Sequence, residues 1–249
     1  GGFLVTWTST DSAQDGSGYG VFAQRFNSSG TKVGAEFQVN TTTSTHQLHS
    51  DPTSLTGGGF VITWASNSQD GSGKGVYGQL YDASGLSVGG EFQVNTHTNN
   101  DQMQPSVASL DGGGFVVTWH SSSQDGDEQG IFGQRFDASG NKAGSEFQVN
   151  THTTSSQDYS AVTSLNDGGF VVTWHDDSGH DGSADGVFGQ RYSSSGSATG
   201  SQFQINSTTS GTQAFSSITS LTDGGFVATW TDYSGEDGSG KGIFGQRYD

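Results

Sequence analysis

The chain contains no cysteine, two prolines and one methionine among its 249 residues. Without cysteine there is neither a disulfide nor a thiolate metal site. Cations are also scarce: 8 Lys plus Arg stand against 25 Asp plus Glu, a formal charge of −17. Acidic surface on that scale repels phosphate and argues against a nucleic-acid partner. Leu, Ile, Val and Phe together supply only 46 residues, below the roughly 20% at which a highly charged chain tends toward disorder. No apolar run approaches the roughly 18 residues of a membrane-spanning helix, so membrane insertion is not expected. With neither an initiator Met nor a signal peptide, the chain reads as a mature product or an excerpt. What it does have is aromatic residues and glycine: 16 Phe, 7 Tyr, 5 Trp and 41 Gly. A disordered polar chain seldom carries so many aromatics. Glycine with so little proline suits short strands joined by tight turns.

These residues are not scattered. Gly-Gly-Phe recurs with its Phe at Phe3, Phe60, Phe115, Phe170 and Phe226, and a Trp follows four residues later each time, at Trp7, Trp64, Trp119, Trp174 and Trp230. Every Arg lies in one column, Arg25, Arg135, Arg191 and Arg247, with Leu80 at the fifth site. A period near 55 residues marks a repeat architecture. Each module reads as four strands. The first ends as Ser106–Leu110, and a Gly-rich turn permits the positive φ that a hairpin needs. The second is Phe115–Trp119, with Phe115, Val117 and Trp119 on one face by period-2 geometry. The third is Ile131–Phe136 and the fourth Glu146–Asn150. No segment shows helical periodicity.

Repeated four-stranded antiparallel modules predict an all-β fold, most simply a β-propeller, with a linear stack of small sheets as the alternative. Stacking aromatic faces between neighbours would supply a core that one small sheet cannot build alone. The chain is read as a single repeat domain of about four and a half modules: 1–57, 58–112, 113–167, 168–223 and 224–249. It starts at the second strand of a module and stops after the third. This reads as an excerpt of a longer array, or as end sheets that another chain completes.

Chemistry is sought first in the loop between the second and third strands. It carries Asp-Gly at Asp15, Asp70, Asp125, Asp181 and Asp237, each six residues before the aliphatic that opens the third strand. Further carboxylates crowd the richer loops, among them Asp127, Glu128, Asp176, Asp177, Asp185, Asp232 and Glu236. Calcium takes six to eight hard oxygens from carboxylates, carbonyls and water, so Asp15, Asp70, Asp125, Asp127, Asp177, Asp181 and Asp237 are candidate calcium ligands, with Asp70 alone in its loop. Asp-Gly turns whose carboxylates cap backbone N–H groups are the other reading. The Trp column is expected to be inter-module core. The Arg column is expected to pair with acidic neighbours and lay its stems over apolar surface. The Gln column (Gln24, Gln79, Gln134, Gln190, Gln246) fits buried amides bonded to backbone. The seven His form no metal-ligand spacing, and no nucleophile elbow is present. Asn27, Asn40 and Asn206 lie in Asn-x-Ser/Thr sequons.

The unit Gly-Gly-Phe-Val-Val-Thr-Trp, Gln-Asp-Gly, Gly-Ile-Phe-Gly-Gln-Arg-Phe-Asp, Glu-Phe-Gln-Val-Asn-Thr, clearest at 113–151, resembles tandem repeats in very large secreted proteins of marine bacteria and cyanobacteria. Those proteins are similar to calcium-dependent adhesins or RTX-type exoproteins. The resemblance implies an extracellular, secreted or cell-surface protein, often calcium-linked. The Gly-Gly-x-Gly-x-Asp nonapeptide of RTX β-rolls is absent. The resulting expectation is a non-enzymatic structural or adhesive module whose partners are neighbouring repeats or cell-surface glycans. The competing readings are a carbohydrate-binding, lectin-like propeller and a non-catalytic part of a secreted hydrolase.

Overall fold

A computed structural model describes residues 1–249 and shows five antiparallel sheets. The first holds β1 (Gly2–Ser9), β2 (Gly20–Asn27) and β3 (Lys32–Gln38). The second holds β4 (Gln47–Ser54), β5 (Phe60–Asn67), β6 (Lys74–Tyr81) and β7 (Ser87–Gln93). The third holds β8 (Gln102–Ser109), β9 (Phe115–Ser122), β10 (Gln129–Phe136) and the short β11 (Phe147–Gln148). The fourth holds β12 (Gln157–Ser164), β13 (Phe170–Asp176), β14 (Gly186–Tyr192) and β15 (Ala198–Gln204). The fifth holds β16 (Gln213–Ser220), β17 (Phe226–Asp232) and β18 (Gly242–Tyr248). Neighbours in each sheet are consecutive in sequence. The one helix, α1 (Ser12–Asp15), is a single turn in the first Asp-Gly loop, capped by Asp11 Oδ1 accepting from Ala13 N at 2.9 Å. The chain forms two compact units, Gly1–Pro105 and Ser106–Asp249.

Within each unit, successive sheets bury one another as the alternation predicts. In the second unit, Phe170, Val172 and Trp174 of β13 pack on Val116 and Ile131 of the preceding sheet and on Val149 beyond β11. Phe226, Ala228 and Trp230 of β17 pack likewise on Val171, Val187 and Ile205. In the first unit, Phe60, Ile62 and Trp64 of β5 close on Val21, Ala23 and Val39. The central strands are therefore buried on both faces, and Trp64, Trp119 and Trp174 are fully enclosed. Trp7, on an edge strand, is only half-buried. Gly133 lets the outer strand close in, since a Cβ there would stand 2.6 Å from the tip of the Phe147 ring.

A polar network runs through the first four modules beneath this core. Asn150 Oδ1 accepts from Ile131 N at 2.8 Å, and its Nδ2 donates to His152 O and Gln157 Oε1 at 2.8 Å and to Asp125 Oδ2 at 3.3 Å. Gln157 Nε2 donates onward to Thr154 O at 2.8 Å. Asn206 repeats the pattern with Val187 N, Gln213 and Asp181, and Asn40 with Val21 N, Gln47 and Asp15. Two of the three sequons thus hold buried amides already in use, while Asn27 is exposed at the end of β2.

The Arg column departs from expectation. Arg25 donates to Ala83 O at 2.8 Å and to Ser84 O, and Arg135 to Ser194 O at 2.8 Å and to Ser195 O. Each reaches the third-to-fourth-strand turn of the following module rather than a carboxylate. Arg191 donates to Asp249 O and lies 5.3 Å from the Phe226 ring centroid. Only Arg247 meets an acidic side chain, Asp223, at 2.7 Å. The physical reason is that a turn ends in outward carbonyls, which a five-donor guanidinium can bridge. Gly196 belongs to that contact: its φ is +85°, and a Cβ would lie 2.8 Å from Arg135 Cδ. Arg135→Ala is expected to lower the unfolding free energy by about 1 kcal/mol, because the bonds are partly solvated. Urea denaturation measures this, and no change in midpoint would show the contact to be idle.

Candidate functional site

The Asp-Gly carboxylates serve mainly as clamps. Asp125 Oδ1 accepts from Asp127 N at 3.4 Å while Oδ2 receives Asn150. Asp181 takes Ser183 N at 3.1 Å and Asn206, and Asp70 takes Ser72 N at 3.3 Å and Asn95 at 3.5 Å. Asp237 takes Ser239 N at 3.1 Å, and buried Asp15 takes Asn40 Nδ2 at 3.0 Å and Gln38. Asp127 and Asp177 instead hold the loop between the third and fourth sheets, accepting from Ser155 N at 3.1 Å and Ser156 N at 2.7 Å. Among the described residues, no group of three or more His, Asp or Glu is arranged to hold a metal ion. Asp15, Asp70, Asp125 and Asp181 each tie their loop to the Asn amide that follows the fourth strand, and Asp237 caps its own turn, as in the turn-capping alternative.

Asp125→Ala is therefore expected to lower the melting temperature equally in calcium and in chelator. A loss confined to calcium would favour the calcium-ligand reading.

Chemistry gathers elsewhere, on the first strand of the second to fifth sheets. That strand begins four residues earlier than the sequence pattern indicated, at Gln47, Gln102, Gln157 and Gln213. Its third residue is left-handed: His49 at φ +56°, Gln104 at +52°, Tyr159 at +49° and Phe215 at +56°. Register shifts between Leu48 and Asp51, Asp158 and Ala161, and Ala214 and Ser217 mark β-bulges there. Left-handed backbone costs a non-glycine residue about 1–3 kcal/mol. A bulge re-aims a side chain. The glutamine two positions earlier never changes from module to module, whereas this residue is His, Gln, Tyr or Phe.

In the second unit the bulges bring two aromatics together. Tyr159 and Phe215 meet edge to face with ring centroids 4.7 Å apart, yet remain 38% and 47% exposed. His175 of β13 lies beside both, 6.5 Å from Tyr159 and 6.3 Å from Phe215. Its Nδ1 shares a 2.8 Å hydrogen bond with Asp158 Oδ1, and its Nε2 stands 3.4 Å from Asp185 Oδ2. Burial opposes the charged imidazole, but the hydrogen bond and charge of Asp158, then those of Asp185, outweigh it and hold the pKa above its ordinary value. Nearby, Asp177 is held above the usual carboxylate range, first by burial and then by the charges of Glu128 and Asp185, against the Ser156 bond and His175. Ser156 Oγ donates to Glu128 Oε2 at 2.7 Å. Two exposed rings bordered by hydrogen-bonding carboxylates form a surface that can stack one molecule and bond its hydroxyls. Of these residues only Asp177 was among the candidate site positions.

No protein-family model and no curated protein matches the sequence. Solved structures do match in fold. An α-L-arabinofuranosidase from Fusarium graminearum superposes with a TM-score of 0.63 at 10% identity, over 100% of this chain and 72% of its own. An α-L-arabinanase from Penicillium chrysogenum, complexed with arabinobiose, superposes at 0.61 and 12% identity, over 99% and 71%. A protein of unknown function from Dyadobacter fermentans superposes at 0.66 and 10% identity, over 94% and 72%. The fold is β-propeller-like. These structures correct two expectations, that of a non-enzymatic structural or adhesive module and that of a chain with no enzymatic role. The architecture is shared with glycoside hydrolases, and nothing in the matches points to adhesin repeats. No helix is long and apolar enough to cross a membrane.

Proposed function

We propose that this chain is a carbohydrate-directed propeller that engages glycans at the bulged-strand face of its second unit. The observation that carries this reading is the exposed Tyr159–Phe215 pair, held on left-handed backbone beside Asp158, His175 and Asp185. Sugar rings offer apolar C–H faces to aromatic rings and hydroxyls to carboxylates, and this surface presents both. The likeness of fold to an arabinanase bound to arabinobiose supports the same class of ligand. An acidic, cysteine-free chain whose repeats resemble those of secreted bacterial proteins suits an extracellular setting, where polymeric glycans are met.

Calorimetric titration with arabinobiose and longer arabino-oligosaccharides tests the reading. Phe215→Ala is expected to weaken binding about tenfold, since an aromatic contact worth about 0.5–1.5 kcal/mol is lost. Its melting temperature should hardly change, because the ring is half exposed. Unaltered affinity would remove the pair from the site.

Hydrolysis at the same face is a second reading, favoured by Asp177. A carboxyl whose pKa is raised by burial and by neighbouring carboxylates is the feature that glycosidic cleavage requires of its general acid. Release of reducing ends from arabinan, abolished by Asp177→Asn, is the expected result if the face turns its ligand over. Binding without release would leave recognition alone.

A further inference from the structure

This inference rests on the glycan-binding reading. We propose that His175 is a positioning residue, a single ring that clamps both halves of the aromatic platform, Tyr159 through Asp158 and Phe215 through Asp185. The first half of the clamp is a cross-strand pair. Asp158 and His175 face each other in register across β12 and β13, at the last regular position before the bulge. Tyr159 is the next residue, so anchoring the Asp158 side chain by its 2.8 Å bond fixes the peptide that sets the angle of the Tyr159 ring.

The second half runs through main chain. Asp185 faces the opposite ring nitrogen, and its own carbonyl accepts from Gln213 N at 3.0 Å. Gln213 is the first residue of β16, fully buried and bonded to Asn206, and Phe215 follows two positions later. Asp185 thus joins the imidazole to the strand that carries the second ring. The two nitrogens of one imidazole thus face two carboxylates, one on the route to each platform ring.

The second and fifth modules lack the device. The positions that correspond to Asp158 and His175 hold Leu48 with Ala65, and Ala214 with Thr231. Their bulges are formed without it, so the clamp is not needed to build a bulge. What it adds is a fixed spacing between two exposed rings, whose side chains would otherwise turn freely at a solvent-facing surface.

The test separates the clamp from the ligand. Ring contacts between Tyr159 and Phe215 are followed by NMR in the unliganded protein, alongside affinity for the arabino-oligosaccharide series. Asp158→Ala should loosen Tyr159 and leave Phe215 in place. Asp185→Ala should do the reverse. His175→Ala should loosen both, and His175→Gln, able to donate on one side only, should loosen one. In affinity, His175→Ala and Asp158→Ala should each cost about tenfold, and the double variant no more than either alone, because coupled residues are not additive. Melting temperatures measured alongside identify any variant that fails to fold. Rings that keep their contact in His175→Ala, or fully additive losses, would overturn the clamp. An intact clamp response in a protein that binds no glycan would overturn the functional reading and leave the positioning role standing.

Discussion

Replacing Asn150 by alanine is expected to destabilise the fold by about 3 kcal/mol or more, the combined effect of leaving several buried groups without partners. The amide serves Ile131 N, His152 O, Gln157 Oε1 and Asp125 Oδ2 at once. Water cannot replace it readily, since Asn150 is 3% exposed and Gln157 is fully buried. Asn150→Asp should fare as badly despite its matching shape. It would set a second carboxylate against Asp125 and an acceptor against the Gln157 and His152 oxygens. Chemical denaturation reads both variants. A loss below about 1 kcal/mol, the worth of one ordinary hydrogen bond, would mean that the network relaxes around the gap.

Trp174→Ala is expected to cost about 3–5 kcal/mol, the range for deleting a large aromatic from a packed core. Trp174 is fully enclosed, and its face of β13 is the surface on which the preceding sheet closes through Val116, Ile131 and Val149. Trp7→Ala, on an edge strand and half-buried, should cost clearly less under the same assay. Equal losses at the two positions would show that the Trp column does not act through inter-module packing.

The periodic part of the fold was legible because strand alternation and repeat spacing are properties of residue type. Phe115, Val117 and Trp119 announced a buried face, and the glycines before Phe115 announced the turn. The face of Tyr159 and Phe215 was hidden for a physical reason. Its strand opens in a Thr/Ser-rich stretch that reads as loop, and a bulge breaks the alternation by which strands are recognised. One signal was available: the invariant Gln47, Gln102, Gln157 and Gln213, each followed two residues later by a side chain that changes in every module. The meeting of Asp158, His175 and Asp185 depends on cross-strand register and could not be read from spacing along the chain. The Arg contacts were misjudged because their partners are carbonyls, which no sequence displays.

The left-handed bulge sets stability against use. Tyr159 and Phe215 occupy backbone that glycine or asparagine tolerates far better, so the aromatic residues there make the fold less stable than it could be. Selection for robustness alone would drift these positions toward Asn or Gly and leave the rest of the strand untouched. Tyr159→Asn should accordingly raise the melting temperature while abolishing the stacking surface, the exchange of durability for activity that working sites often display. The same arrangement makes the position open to change. Because the left-handed backbone recurs at His49, Gln104, Tyr159 and Phe215 alike, its side chain can be exchanged without rebuilding the sheet, and new recognition surfaces could be drafted one residue per module on an unaltered frame.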